Sequence, residues 1–189
     1  MHTLHRYITL LILIGLLSSG SAQDKISIGG DFSLTSHLNE PYSLSDSSGK
    51  VVLLFFGFTH CPDVCPMTLG TIQTVLDQLG EQAAHVQPLL ITVDPKRDTP
   101  ETLEKYLEYF GYNFIGLTGD SNEIDKVVKQ YQAFYSYTGD SNSRAYNVDH
   151  SSNLYIIDAE GTVTNIMPFG LPQQAIIENI QKLLPNPTS

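Results

Sequence analysis

The chain has 189 residues, 41% hydrophobic and 16% charged, with ten Lys and Arg against twenty Asp and Glu, a net charge of −10. The apolar share excludes a disordered chain, and the acidic balance excludes a binder of nucleic-acid backbones, which needs clustered Lys and Arg. The length fits one domain of about 150 residues plus an extra segment, and two cysteines are too few for a disulfide-built scaffold.

The extra segment is N-terminal. His2, His5 and Arg6 precede an apolar run from Tyr7 to Leu17, and Ser18 to Ala22 are small and polar, with Gly20 and Ala22 as a small-x-small site. That order is the pattern of a secretory signal. The apolar run is about half of what a bilayer-spanning helix requires; an uncleaved anchor in the membrane is the alternative. No cysteine lies near the cleavage site, so a lipoprotein anchor is not available. The expected organisation is residues 1–22 as signal peptide or anchor and residues 23–189 as one domain. Cleavage removes Arg6 and no acid, which deepens the negative charge by one. Export places both cysteines in an oxidising compartment.

Residues 24–50 are polar and turn-rich and read as an extended lead-in, with a hairpin from Phe32 to Leu34 and from Tyr42 to Leu44. Val51 to Phe58 is a continuous apolar run, as in a strand buried on both faces of a sheet. After Cys61 to Pro66, Leu69, Ile72, Val75, Leu76 and Leu79 recur at helical spacing, and Gly80 ends the run. Val86 to Val93 is a second buried strand. Thr99, Pro100 and Glu101 start a helix through Leu103, Tyr106, Leu107 and Phe110, which Gly111 stops. Ile115 to Leu117 is a short strand. Ser121 or Asn122 caps a helix carrying Ile124, Val127, Val128 and Tyr131. Phe134 to Tyr137 is extended, and Gly139 to Arg144 is a polar loop. Leu154 to Ile157 and Thr162 to Met167 form a hairpin, and Pro172 opens a last helix through Ile176, Ile177, Ile180 and Leu184. The order is that of an α/β fold with one central sheet, and a loop after the first core strand, at a helix start, is where such sheets build their sites.

That loop is Cys61-Pro62-Asp63-Val64-Cys65. Cysteines four apart at a helix start reach one face of it, and helix N-termini favour thiolates. A disulfide there closes only five residues, worth roughly 2 kcal/mol, and needs distortion on a regular helix. Two thiolates suit a soft ion, Cu(I) first, and leave open what third ligand exists. Of six histidines, His2 and His5 leave with the signal, His37 lies in the lead-in and His85 beyond the first helix. His60 precedes Cys61, and His150 sits in a loop before the strand Leu154 to Ile157. Spacing alone does not choose between the last two. Asp94 and Asp98 follow the second core strand, either orienting a ligand or docking a partner, or serving turn and cap chemistry. Asp149 is a candidate for fixing the His150 ring. Met67 and Met167 are soft sulfurs that read as core filler.

Phe56-Gly57-Phe58-Thr59-His60-Cys61-Pro62-Asp63-Val64-Cys65-Pro66 closely resembles the active-site signature of the Sco (SenC) copper chaperones. Val93 to Pro100, Gly116 to Gly119 and Val148-Asp149-His150-Ser151 agree in order, so the likeness spans roughly residues 28 to 184. The resemblance implies a thioredoxin-like fold and copper, Cu(I) or Cu(II), held by Cys61, Cys65 and His150. It implies delivery to the binuclear copper centre of cytochrome c oxidase, with the copper-bearing subunit or another copper carrier as partner and a periplasmic location. The alternative is a thiol–disulfide oxidoreductase in which Cys61 and Cys65 cycle as a redox-active pair. Two departures count against it: CxxxC replaces the CxxC of thioredoxin-type reductases, and no proline occurs between Pro100 and Pro168, where those enzymes carry a cis-proline.

Overall fold

Residues 28–111, 113–139 and 146–184 are described by a computed structural model. The expected signal segment lies outside the described residues, as do residues 140–145 of the polar loop and the C-terminal tail. In chain order the elements are β1 (Ser33–Ser36), β2 (Pro41–Ser43), β3 (Val51–Gly57), α1 (Val64–Leu79), β4 (Val86–Thr92), α2 (Pro100–Leu107), β5 (Ile115–Thr118), α3 (Ser121–Gln130), β6 (Tyr135–Thr138), β7 (Asn147–His150), β8 (Leu154–Ile157), β9 (Val163–Met167) and α4 (Gln173–Gln181). Short 3-10 helices at Gly80–His85 and Glu108–Phe110 extend α1 and α2. Among the described residues no helix is long and apolar enough to cross a membrane.

The two continuous apolar runs form the centre of the molecule. Every residue of β3 and β4 is buried, as expected for strands covered on both faces. Seven strands make one mixed sheet in the order β2-β1-β5-β4-β3-β8-β9. β3 runs parallel to β4 and antiparallel to β8. The lead-in hairpin is not separate: β1 pairs antiparallel with β5 and closes one edge. Alternation along β3 sends Phe55 and Phe56 to opposite faces. Phe56 meets Tyr131 and Tyr155 edge-on at 5.9 and 5.7 Å, and the Tyr131 hydroxyl, brought there by α3, donates to the Gly30 carbonyl at 2.9 Å. On the other face, α4 packs against α1.

The helix signals hold with one shift. Thr99 accepts from the Thr102 N–H at 3.3 Å, with Pro100 at the first helical position. α3 is capped by Asp120, one residue before the expected Ser121 or Asn122. Asp120 accepts from the Glu123 N–H at 2.9 Å, and Glu123 accepts from the Asp120 N–H at 2.8 Å. This reciprocal box needs a Glu or Gln three residues on, which Asp120 has in Glu123 and neither Ser121 nor Asn122 has.

One strand escaped the sequence reading. Residues 147–150 read as a loop, yet they pair with β6 from Thr138↔Asn147 to Tyr135↔His150 in a two-stranded sheet of their own. Asn147 and Asp149 are weak strand formers, but the alternate residues Val148 and His150 stand opposite Tyr137 and Tyr135, and those cross-strand pairs hold the strand.

Phe56→Ala empties a fully buried site and should cost about 3–5 kcal/mol in chemical unfolding of the domain. A loss under about 1 kcal/mol would contradict the central place given to this ring.

Candidate metal centre

β3 ends at Gly57, and the chain turns through Phe58 to Cys61, whose N–H donates to the Phe58 carbonyl at 3.3 Å. Cys65 lies in the first turn of α1, whereas Cys61 precedes the helix. The two thiols therefore do not share a helix face, as the spacing suggested. Instead the Cys65 N–H points at Cys61 Sγ, 3.4 Å away. The sulfur occupies the place of a capping oxygen, which the Asp63 side chain does not fill. Pro66 falls in the first turn, where a missing N–H costs nothing.

Cys65 is fully buried and Cys61 half-buried; neither is in a disulfide. Room for the buried sulfur comes from Gly57. A Cβ there would stand 2.9 Å from Cys65 Sγ and 2.7 Å from the Phe55 ring.

The third donor arrives from the far end of the fold. His150 closes β7 and sets Nε2 3.4 Å from Cys65 Sγ. Its Nδ1 lies 2.9 Å from the Ser151 carbonyl oxygen. A carbonyl only accepts, so Nδ1 carries the proton and Nε2 turns a lone pair to the sulfurs. Phe55 and Phe58 hold the ring edge-on at 5.9 and 5.6 Å. The donor atoms of Cys61, Cys65 and His150 all lie within 4.8 Å of one another.

The other sequence candidates are placed elsewhere. Asp149 is exposed, and the Ser151 carbonyl, not Asp149, fixes the His150 ring. His60 is turned to solvent and bonds Thr59 Oγ1 at 3.0 Å. His37 accepts from the Gly116 N–H at 3.2 Å, and His85 is exposed. Met167 is core, but Met67 is exposed, against expectation. Together with Thr68, Ser152, Phe169 and Leu171 they line a cleft of about 370 Å³, flanked in sequence by Cys65 and His150.

Asp94 and Asp98 are fully buried, so neither docks a partner. Asp98 accepts from the Thr59 N–H at 3.0 Å and from the Thr59 and Thr92 hydroxyls at 2.6 Å. It ties the cysteine loop to the end of β4. Asp94 accepts from the Tyr146 hydroxyl at 2.6 Å and from Arg97 Nε. Sequence reasoning missed Gly57, Thr59, Arg97, Tyr146 and Ser151. All but Tyr146 stand inside the stretches that carry the resemblance, without a role of their own being read there.

The thiols are unequal. A hydrogen bond from the Cys65 thiol is the main cause holding Cys61 down to about 4; the backbone N–H groups of Asp63 and Cys65 add to it, against burial. Cys65 is pushed up, first because its proton is shared with Cys61 and then by burial. The reduced pair therefore holds one proton across the neutral range. Burial pushes the Asp98 carboxyl up, against the hydrogen bonds from Thr59 and Thr92.

Fold and trio together define a thioredoxin-like domain with two sulfurs and one imidazole converging at the start of its first helix. The SCO1/SenC family model matches residues 20–185. The chain is 41% identical over 140 residues to the SCO2-like protein of Rickettsia felis, covering 74% of this chain and 68% of that one. It is 39% identical over 136 residues to the human mitochondrial SCO1 homolog, covering 71% of this chain and 45% of that one. Among solved structures, Bradyrhizobium japonicum ScoI with copper bound superposes with a TM-score of 0.77 at 35% identity, over 84% of this chain and all of that one. Yeast Sco1 with copper bound gives 0.76 at 31% identity, over 85% and 92%. This chain belongs to the SCO1/SenC family.

The thiol pair makes stability depend on pH. Cys61 lies below its ordinary value in the fold, so its thiolate stabilises fully above about 9, and that contribution is lost as pH falls toward about 4. Cys65 is raised, so its contribution is present below the ordinary thiol range and lost above it. The reduced protein should melt at a lower temperature at pH about 5 than at pH about 8, and Cys61→Ser should flatten that difference. An identical pH slope in both proteins would contradict the assignment.

Proposed function

We propose that this chain is an exported copper chaperone that binds copper through Cys61, Cys65 and His150 and hands it to the copper-bearing subunit of cytochrome c oxidase, or to another copper carrier, during assembly of the oxidase. The observation that carries this reading is the convergence of the three donor atoms within 4.8 Å. Two thiolates are soft donors and favour Cu(I), while an imidazole nitrogen helps to hold Cu(II). The donor set carries a formal charge of minus two, so Cu(I) leaves the site singly negative and Cu(II) leaves it neutral. Structural zinc takes four protein ligands, and this cluster offers three.

The residues divide the work. Cys61, half-buried and already ionised, meets the ion first. Cys65 must lose its proton to join, which ties affinity to pH. His150 presents its bare Nε2 without rearranging a proton, because Nδ1–H is held by the Ser151 carbonyl. A three-donor site with one edge toward solvent leaves room for a recipient's ligand, as transfer requires. The signal pattern of residues 1–22 supports export to the periplasm, free or anchored in the inner membrane.

A second reading, thiol–disulfide exchange, is favoured by one observation: a half-exposed thiolate beside a resolving thiol. Cys61 would attack a partner disulfide and release one partner thiolate. Cys65, deprotonated, would then attack the Cys61 sulfur of the mixed disulfide and release the second. The partner gains two electrons, and this pair becomes a disulfide, which can no longer hold copper.

His150→Ala should weaken Cu(I) binding by about 100-fold or more, since loss of an outer partner alone costs up to about 100-fold. Unchanged affinity would overturn the ligand set. A thiol-exchange assay separates the second reading: full exchange in His150→Ala, with none in Cys61→Ser and no deficit in copper delivery, would make exchange the main role.

A further inference from the structure

The hairpin that carries His150 is weakly built. Among the described residues β6 and β7 pair only with each other, and a lone two-stranded hairpin is marginal in water. Side chains at its base add to the contacts that keep His150 on the sulfurs.

Those side chains form one cluster around Arg97. Its Nε donates to the fully buried Asp94 carboxylate. Its Nη1 donates to the Tyr146 carbonyl at 3.1 Å. Its guanidinium stacks 3.9 Å from the centre of the Tyr146 ring. The Tyr146 hydroxyl closes the circle by donating to Asp94 at 2.6 Å. Tyr146, the residue just before β7, is thus gripped by its carbonyl, its ring and its hydroxyl. Tyr137 of β6 adds a bond from its hydroxyl to the Val93 carbonyl at 3.0 Å and an edge-on contact with Tyr146 at 5.4 Å. A second route runs through Phe58, whose ring lies 5.7 Å from the Arg97 guanidinium and 5.6 Å from His150. Arg97 touches neither cysteine nor His150 in any of these contacts, yet it sits at both approaches to the ligand.

We propose that Arg97 is a positioning residue for metal binding: with Asp94 it clamps Tyr146 at the base of β7 and so holds the His150 imidazole on the Cys61–Cys65 pair. The clamp grips the strand about 13 Å from His150, at about 3.3 Å per residue. Small slippage there swings the imidazole off the sulfurs, so the clamp sets how readily the third donor lets go. The inference rests on His150 being a copper ligand.

Cu(I) affinity, read by competition with a Cu(I) chelator on the reduced chain, tests it in a double-mutant cycle. Arg97→Lys keeps a positive charge beside Asp94 but loses the planar stack and the fork. Tyr146→Phe removes one oxygen and keeps the ring, so the test survives even where Arg97→Lys does not fold. Each should weaken affinity by about threefold or more, within the range for residues of one coupled network. In a His150→Ala background neither should change it further. A purely structural cluster would lower the melting temperature of the metal-free protein and leave copper affinity untouched, and that result overturns the proposal. The same loss in the His150→Ala background also overturns it, since the clamp would then act by another path. If His150→Ala alone has no effect, the ligand reading itself fails; if only the two clamp variants have none, the clamp alone fails.

Discussion

The Cys65–His150 contact, 3.4 Å long, joins residues 85 apart in sequence. Closing a loop of that length costs roughly 4 kcal/mol of chain entropy beyond a constant term, more than one sulfur–nitrogen contact returns. The fold therefore has to make the meeting for other reasons. β3 is buried from end to end and delivers the cysteine loop at one end of the central sheet. β8 lies antiparallel beside it, so the segment entering β8 arrives next to the segment leaving β3. The hydrophobic burial of these strands sets the distance, and Gly57 removes the one Cβ that would push Cys65 aside.

Within that frame, the chemistry of the trio follows from its protons. One thiol proton is shared by two sulfurs, and the imidazole proton is pinned on the nitrogen that faces a carbonyl. A soft cation then meets one thiolate and one bare nitrogen at once, and has a single proton to displace. Burial is graded in the same sense: Cys65 is sealed, while Cys61 and His150 border solvent. A sealed anchor with two accessible donors suits an ion that arrives and departs through protein contact, and it equally allows the two sulfurs to meet oxidants. Metal loading and disulfide formation compete for the same two atoms.

Much of this was legible from residues alone. The runs at β3 and β4 announced a doubly covered sheet, and Thr99-Pro100 announced α2. The CxxxC string located the site because its two cysteines, with Pro62 and Pro66, stand between a buried strand and a helix start. His150 was not legible from periodicity: it needed the resemblance, since its surroundings look like loop and its strand is held by partners far away in sequence. Asp94 and Asp98 were noticed by position, which left ligand orientation, partner docking and turn or cap chemistry open; burial removes docking and makes both internal brackets, one under the cysteine loop and one under Tyr146. Arg97 and Ser151 stand in stretches that carried the resemblance, but their roles were not legible because they act through a guanidinium stack and a carbonyl, contacts that no residue pattern encodes.

X-ray absorption at the copper edge of the copper-loaded, reduced protein tests the Cys61–Cys65–His150 site most directly. Two sulfur scatterers and one imidazole nitrogen are expected, with the nitrogen lost in His150→Ala. A spectrum of the unaltered chain with a single sulfur, or with no imidazole, would contradict it.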